Sequence, residues 1–401
     1  MAPGPSLGSA RRPRYGRLRD GCLVTAFDVG ASVSGVTLAS VWLLYPLIMG
    51  VRAGWTRRRR RPVVSRPEPV AGAVSVVVAT RDDPAAVRAR VEDCLGATNA
   101  PEQLEVVVAF DAKGGVKPVE SVFPNGGTVR YVRGDEPGGK AATLNAGVRA
   151  ASGDIIVFTD TSQRFHPGAI GALVEALREE SIGAVSGSLE LASSRAASLA
   201  ALYWRLERWL RQCEAEVGSS VGVTGAIYAI RKSLWTPLPA GLLLDDLYTP
   251  MQIVLQGYRV GFVTGARAWE TRLPSPSEEY RRKTRTLTGV IQLCAWLPAL
   301  LNPFRNPLWT EFLFHKLLRF LTPYCAFVIG AWCLVTAWPF LSGPWPMRAS
   351  PAAVAVLSVL GLGVVRAKAF RAMVAQACLL QAAVLVATFN GLRGRWDVWQ
   401  R

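Results

Sequence analysis

Hydrophobic positions along the chain form two kinds of run. Between residues 70 and 270 the apolar runs are short and end in acidic or glycine-rich turns. Ala73 to Ala79 (AVSVVVA), Leu104 to Phe110 (LEVVVAF), Thr128 to Val132 and Asp154 to Thr159 show little polar alternation. That is the pattern of strands covered on both faces. Helical patterns separate them, one from Pro84 to about Leu95 and one opened by Gly138-Gly139-Lys140 and running through Ala151. Strands alternating with helices predict an α/β fold with a mostly parallel sheet and right-handed crossovers. Gly222 to Lys232 (GVTGAIYAIRK) reads as a strand or hairpin, and Asp245-Asp246 open a helix through about Gln256. In residues 199–215, Leu202, Leu206, Trp209 and Leu210 follow helical spacing with arginines between them. This helix either packs on the domain or lies in a membrane interface.

The second kind of run is long. Leu23 to Met49, interrupted by Asp28, is long enough to cross a bilayer. Three more apolar segments follow, about Phe320–Phe340, Ala352–Val365 and Met373–Phe389, the middle one short for a span. The predicted layout is a basic disordered N-terminus (1–22), a transmembrane helix (23–50), a basic, Pro-rich linker (51–72), a cytosolic α/β domain (73–275), interfacial helices (276–311), about three transmembrane helices (312–391) and a basic tail (392–401). A signal peptide is the alternative for the first run. Its length argues for an anchor, as does the Arg57–Arg61 run, which would otherwise begin an exported protein. The expected location is the plasma membrane, multi-pass, with the folded domain in the cytoplasm. Basic residues flank Met373–Phe389 on both sides, which leaves the side of the C-terminus open.

Composition narrows the picture. The chain has 401 residues, is 50% hydrophobic and carries a net charge of +17. That excludes an ordinary soluble single domain. No nucleic-acid-binding motif accompanies the charge, so membrane orientation accounts for it better than a nucleic-acid partner. Seven cysteines without a CxxC pair argue against a zinc or disulfide framework, and two histidines against a His-based metal site. Protein partners are left unspecified.

Asp82, Asp83, Asp111 and Asp160 all lie at or just past predicted strand ends. Ligands of open α/β sheets bind at that edge. Carboxylates there accept hydrogen bonds from a base or ribose and ligate Mg²⁺ or Mn²⁺ together with substrate phosphates. Any one of them alone is also an ordinary loop residue. Asp160 and Ser162 are two apart, so in an extended chain they project to one side as a metal pair for the diphosphate of a nucleotide sugar. Gly139-Lys140 at a helix start offers N–H groups and a cation to phosphate. Asp245-Asp246 are the best general-base candidates, or else helix caps. Arg281, Arg282, Lys283 and Arg285 neutralise a leaving diphosphate, form a basic membrane-proximal face, or both.

These residues resemble a membrane-bound family 2 glycosyltransferase of the cellulose synthase and hyaluronan synthase type. The resemblance spans about residues 70–325. Thr80-Arg81-Asp82-Asp83 sits where the family has a strand ending in Asn-Glu, and Asp111 matches the second strand-end Asp that holds the base or ribose. Gly139 to Asn145 (GKAATLN) is similar to the family's GKAxALN segment. Asp160-Thr161-Ser162 occupies the DxD position, with Ser162 in place of the second Asp. Gly225, Ala226, Tyr228 and Arg231 resemble the segment lining the acceptor site. Leu244-Asp245-Asp246 falls at Thr-Glu-Asp, which makes Asp246 the base. Arg282 to Thr286 occupies the QxxRW position and keeps only Arg285.

The resemblance implies a glycosyltransferase A-type sheet held against membrane helices and an inverting transfer from a UDP-linked sugar to a glycan or lipid acceptor, in surface polysaccharide synthesis. The lost Gln and Trp favour single-sugar transfer to a lipid over polymerisation. Ser162 is the main support for a further alternative, a non-catalytic membrane scaffold.

Overall fold

The structure, a computed structural model, describes residues 15–59, 72–98, 101–114, 127–190, 199–270, 275–342 and 368–396. One eight-stranded sheet organises the domain. Its strands are β1 (Val74–Thr80), β2 (Leu104–Phe110), β3 (Val129–Arg133), β4 (Ile155–Thr159), β5 (Gln163–Phe165), β6 (Ile182–Glu190), β7 (Tyr228–Arg231) and β8 (Arg259–Glu270), in the spatial order β3-β2-β1-β4-β7-β6-β8-β5. The β3-β2-β1-β4 half is parallel throughout. β7 runs antiparallel to both β4 and β6, β5 runs antiparallel to β8, and β6 and β8 are again parallel.

The apolar runs of β1 and β2 reflect burial on both faces. Val77 and Val107 join one core with Leu144, Phe158 and Met251, while Val76, Val78, Val106 and Val108 join the other with Ile170 and Leu173. The covering helices are α3 (Pro84–Leu95), α4 (Lys140–Ala150), α5 (Ala169–Ala176) and α7 (Asp245–Leu255). The segment Gly222–Lys232, expected as a strand or hairpin, is a single strand over Tyr228–Arg231 preceded by a loop.

The N-terminal apolar run is one long helix, α1 (Tyr15–Ala39) continuing through a π-turn into α2 (Tyr45–Arg59). It is longer than the 23–50 expected, because the helix includes residues 15–22 of the predicted disordered stretch and the first arginines of the predicted linker. The rest of both, 1–14 and 60–71, lies outside the described residues, as do residues 343–367, which hold the Ala352–Val365 segment. After the domain come α8 (Pro276–Trp296), α9 (Trp309–Phe312), α10 (Thr322–Ser342) and α11 (Lys368–Leu392). Two continuous helical stretches, Ala26–Arg59 and Trp309–Thr336, are long and apolar enough to cross a membrane by length and composition. Only 6% of the most apolar window of the second is buried, so it is no core helix. Asp28, the acid that interrupts the first run, accepts a 2.7 Å hydrogen bond from the Trp332 indole of α10.

The amphipathic segment, α6 (Leu199–Val217), is packed rather than free. Its Leu210 and Cys213 share a small core with Tyr45, Met49 and Ala53 of α2. Glu207 and Glu214 face His315, at 3.0 and 2.7 Å, and the Tyr45 hydroxyl donates to Glu214 at 2.6 Å.

Candidate active site

Parallel pairing of β1, β2 and β4 carries their carboxyl ends to one sheet edge. Thr80, Asp111 and Asp160 therefore arrive together without any special side-chain preference. Thr80 is buried, and its hydroxyl accepts the N–H of Asp82 at 2.9 Å. Arg81 pairs with Asp111 at 2.6 Å. The other Asp111 oxygen accepts the N–H groups of Lys113 (2.9 Å) and Gly139 (2.8 Å). Burial alone would raise the Asp111 pKa, but these two N–H groups and Arg81 outweigh it and hold the carboxyl below its usual range. The turn they brace needs glycine: Gly138 has φ 80°, and a Cβ there would meet Asp111 Oδ1 at 2.8 Å.

Asp83 has a local role. It is the N-cap of α3, its Oδ1 accepting from Ala85 and Ala86 at 2.9 and 3.0 Å. Asp245 and Asp246, for which capping was the alternative, are the first two residues of α7, whose N-cap is Leu244 without a side-chain cap bond.

Lys140, at the start of α4, joins two parts of the edge. Its ammonium lies 3.3 Å from Asp160 Oδ1 and 3.3 Å from Asp245 Oδ2. The expected phosphate ligand is thus the bridge between the strand-end acid and the α7 acids. Burial would lower its pKa, but Asp160, Asp245 and Asp246 together raise it. Asp246 keeps partial solvent contact in the cleft. Burial first, and then the neighbouring Asp245, push its pKa up, while Lys140 and Arg285 pull it down. A carboxylate made more basic while still ionisable suits general-base work.

Several expectations change. The chain does not stay extended past Thr159; residues 161 and 162 form a turn. The same-side premise for Asp160 and Ser162 therefore lapses. Ser162 accepts from the Gln163 amide at 2.8 Å, and the Thr161 hydroxyl, not anticipated, donates to Asp82. Tyr228 is fully buried and stacked on Phe158 with ring centres 4.6 Å apart, so it is floor beneath the carboxylates rather than a surface an acceptor could touch. Gly225 does border the base: a Cβ there would lie 3.2 Å from Asp246 Oδ2. Ala226 is buried, and its carbonyl accepts the Thr159 hydroxyl at 3.0 Å. Arg231, of the same segment, pairs with Ile155 at the opposite end of β4 from Asp160 and donates to the carbonyls of Leu177 and Ile182. Arg285 is near enough for its charge to act on Lys140 and Asp246, whereas the Arg282 guanidinium lies over the Trp204 ring, 5.8 Å from its centre.

Three further residues hold the site and were not singled out for it. Arg90, fully buried, stacks on Phe165 at 3.9 Å, pairs with Asp93 and donates to Thr159 at 2.8 Å, bracing both sides of the Asp160 turn. Asn145, the last residue of GKAATLN, exchanges two hydrogen bonds with the Leu238 backbone at 2.8 and 2.9 Å. Gln292 of α8 accepts from Leu243 N–H at 2.9 Å and donates to the Gly241 carbonyl at 3.0 Å. Together the two amides clamp the loop that delivers Asp245 and Asp246. Asn145 had a motif to mark it; Arg90 and Gln292 look like ordinary helix residues.

Among the described residues no three His, Cys, Asp or Glu side chains form a ready-made metal cage. The donors at the edge still suit Mg²⁺ or Mn²⁺. They are oxygen ligands, Asp160 is 40% exposed at the cleft, and a cation already sits between Asp160 and Asp245. Such ions need only one or two carboxylates when substrate phosphates supply the rest.

Known proteins share the fold that forms this edge. No curated protein sequence matches the chain. Among solved structures, a mannosyltransferase from Pyrobaculum calidifontis, in complex with GDP-mannose and Mn²⁺, is similar at a TM-score of 0.65 and 20% identity, over 91% of this chain and 99% of that one. That likeness shows a shared glycosyltransferase A-type fold. Glucosyl-3-phosphoglycerate synthase from Mycobacterium tuberculosis, solved with Mn²⁺ and UDP-glucose, matches at a TM-score of 0.41 and 17% identity, over 59% of this chain and 85% of that one. The family model described as "Glycosyltransferase like family 2" matches residues 71–289. That match takes in the sheet, the clamped loop and most of α8, more than half of the chain; the protein belongs to this family and is a glycosyltransferase.

Proposed function

We propose that the protein is an inverting, membrane-bound glycosyltransferase that moves a sugar from a nucleoside-diphosphate donor to an acceptor hydroxyl at the membrane, in surface polysaccharide synthesis. The observation that carries this reading is the Asp160–Lys140–Asp245 chain of contacts, which ends at Asp246, a carboxylate of raised basicity. Thr80, Arg81, Asp82, Asp111 and Lys140 line the donor side, with Asp160 and Ser162 as the metal position. Bound there, Mg²⁺ or Mn²⁺ would supply positive charge against the leaving diphosphate. Asp246 takes the proton of the acceptor hydroxyl, whose oxygen forms the new bond to the anomeric carbon as the bond to the diphosphate breaks. Lys140 and Arg285 offset charge on the leaving group.

The two apolar stretches support a membrane setting, and the arginines at the inner end of the first support a cytoplasmic face for the domain. An arrangement like that of cellulose and hyaluronan synthases fits this order of elements. Single-sugar transfer to a lipid is the second reading, favoured by the absence of Gln and Trp around Arg285.

Purified full-length protein is expected to release a nucleoside diphosphate from one member of a panel of UDP- and GDP-sugars, in a Mn²⁺- or Mg²⁺-dependent reaction. Product mass then separates one added sugar from a ladder. No release from any donor would overturn the transferase mechanism.

The Asp246 environment gives a pH prediction. The base works deprotonated, so activity falls as pH drops through its raised pKa. Lys140 lowers that pKa, so Lys140→Gln is expected to move the acid limb of the pH–rate profile to higher pH, along with a rate loss of about tenfold or more. An acid limb that stays put, or moves down, would separate Lys140 from the base.

A further inference from the structure

Between the catalytic edge and the apolar helices lies a second cluster of cations that the donor reaction does not use. Lys283 of α8 sits over the rings of Tyr203, at 4.6 Å, and Trp204, at 5.7 Å, on α6. Lys316, in the helical turn before α10, directly follows His315, which meets Glu207 and Glu214 of α6, and its charge acts on both Asp246 and Lys283. The nearby carboxylates are already engaged. Glu207 pairs with Arg319 and with His315, and Glu214 pairs with His315 and Tyr45. Both ring nitrogens of His315 face carboxylate oxygens. Arg211 adds another cation, spent on the Thr224 hydroxyl at 2.9 Å. Among the described residues, neither the Lys283 nor the Lys316 ammonium has a hydrogen-bond or ion-pair partner. Burial pushes the Lys283 amine down to about 8, with Arg282 and Lys316 adding to the effect and Glu207 and Glu279 opposing it. Cations held in protein without counter-charge are costly, and an anion entering beside them removes that cost.

The surroundings say what kind of anion. The cluster stands at the foot of the Trp309–Thr336 stretch, whose Leu321, Tyr324 and Phe327 are exposed, and beside Leu202, 60% exposed on α6. A group bound at Lys316 therefore has exposed apolar side chains of the same helical stretch near it, and lies close enough to Asp246 for the Lys316 charge to act there.

We propose that Lys283 and Lys316, with Tyr203 and Trp204 as a wall, bind the phosphate of a lipid-phosphate-linked acceptor whose sugar hydroxyl reaches Asp246. This deepens, and rests on, the transferase reading above. The phosphate is held and not transferred: the proton goes from the hydroxyl to Asp246, and the only bond broken on the donor is that to its diphosphate. Lysines suit this task as point charges for phosphate, and aromatic faces partly compensate them when the site is empty.

The test uses full-length protein in neutral maltoside micelles, with binding of dodecyl phosphate, dodecyl β-glucoside and glycerol 3-phosphate read by native mass spectrometry. Dodecyl phosphate is expected to bind tightest, and the double variant Lys283→Gln/Lys316→Gln to weaken it about tenfold or more. The variant should keep the wild-type melting temperature and nucleotide binding. Unchanged dodecyl phosphate affinity in a folded variant would overturn the proposal, as would equal binding of the neutral glucoside. Glycerol 3-phosphate bound as tightly as dodecyl phosphate would overturn its lipid part. Because the readout needs no donor turnover, failure here is distinguishable from failure of the transferase mechanism. If the double variant unfolds, Lys283→Arg alone, which keeps the charge, is expected to retain binding while Lys283→Gln loses it; equal binding by the two overturns the role of Lys283.

Discussion

Asp246→Asn is expected to lower the rate of sugar transfer by about 10²- to 10⁴-fold, the usual range for loss of a positioned general base. The substitution preserves shape. The Asp246 carbonyl, which accepts the Val223 N–H at 3.1 Å, stays in place, and so does the first turn of α7. What is lost is the ability to take a proton. Donor binding should survive, because the side chain contributes negative charge that works against the incoming diphosphate. Nucleotide release and product formation, measured with calorimetric donor binding on the same sample, check this. A variant within about tenfold of wild type would remove Asp246 from the base role.

Asp160→Asn should be nearly as damaging, for a different reason. Asp160 is the open carboxylate at the end of β4 and the partner of Lys140 at 3.3 Å. Its loss would remove the oxygen ligand proposed above for a divalent ion and leave Ser162, already hydrogen-bonded by Gln163, as a weak substitute. The expected result is a fall of about a hundredfold or more in kcat/KM, with a higher Mn²⁺ concentration needed for half-activation. An unaltered metal response would mean that the ion is held elsewhere. The two variants should also differ in character: the first leaves the metal response intact, and the second shifts it.

The strands that carry these acids were legible because parallel strands, covered on both faces, must be apolar throughout. The runs at β1, β2 and β4 fall within a residue or two of their predicted ends. β6 and β8 escaped because glycines break their pattern. Gly183 and Gly187 sit where a Cβ would come within 2.6 Å of Ile253 and of the Ala266 carbonyl, so the packing that defines β6 also removes its sequence signal. The acids at the edge were readable from topology alone. Their connections were not: Thr161 meets Asp82, Asn145 meets Leu238 and Gln292 meets Leu243 across long stretches of chain. Nothing local in the sequence encodes such pairings. Lys140 is the instructive case: the sequence shows a cation at a helix start, and only the fold shows the two acids it joins.

The amide clamp on the catalytic loop has a consequence for where the enzyme ends. Gln292 belongs to α8, beyond the boundary at residue 275 that the hydropathy suggests. α8 is in turn fitted closely to α11: Thr288 meets Asn390 at 3.5 Å, and a Cβ on Gly391 would come within 2.5 Å of Ile291. Gly289, on the same helix, lets Leu244 approach so closely that a Cβ there would lie 2.5 Å from it. A protein cut after residue 275 would keep every acid of the active site and lose the scaffold that aims two of them. The helices that follow the sheet are thus not separable from the enzyme, and a fragment without them would be an incomplete catalyst.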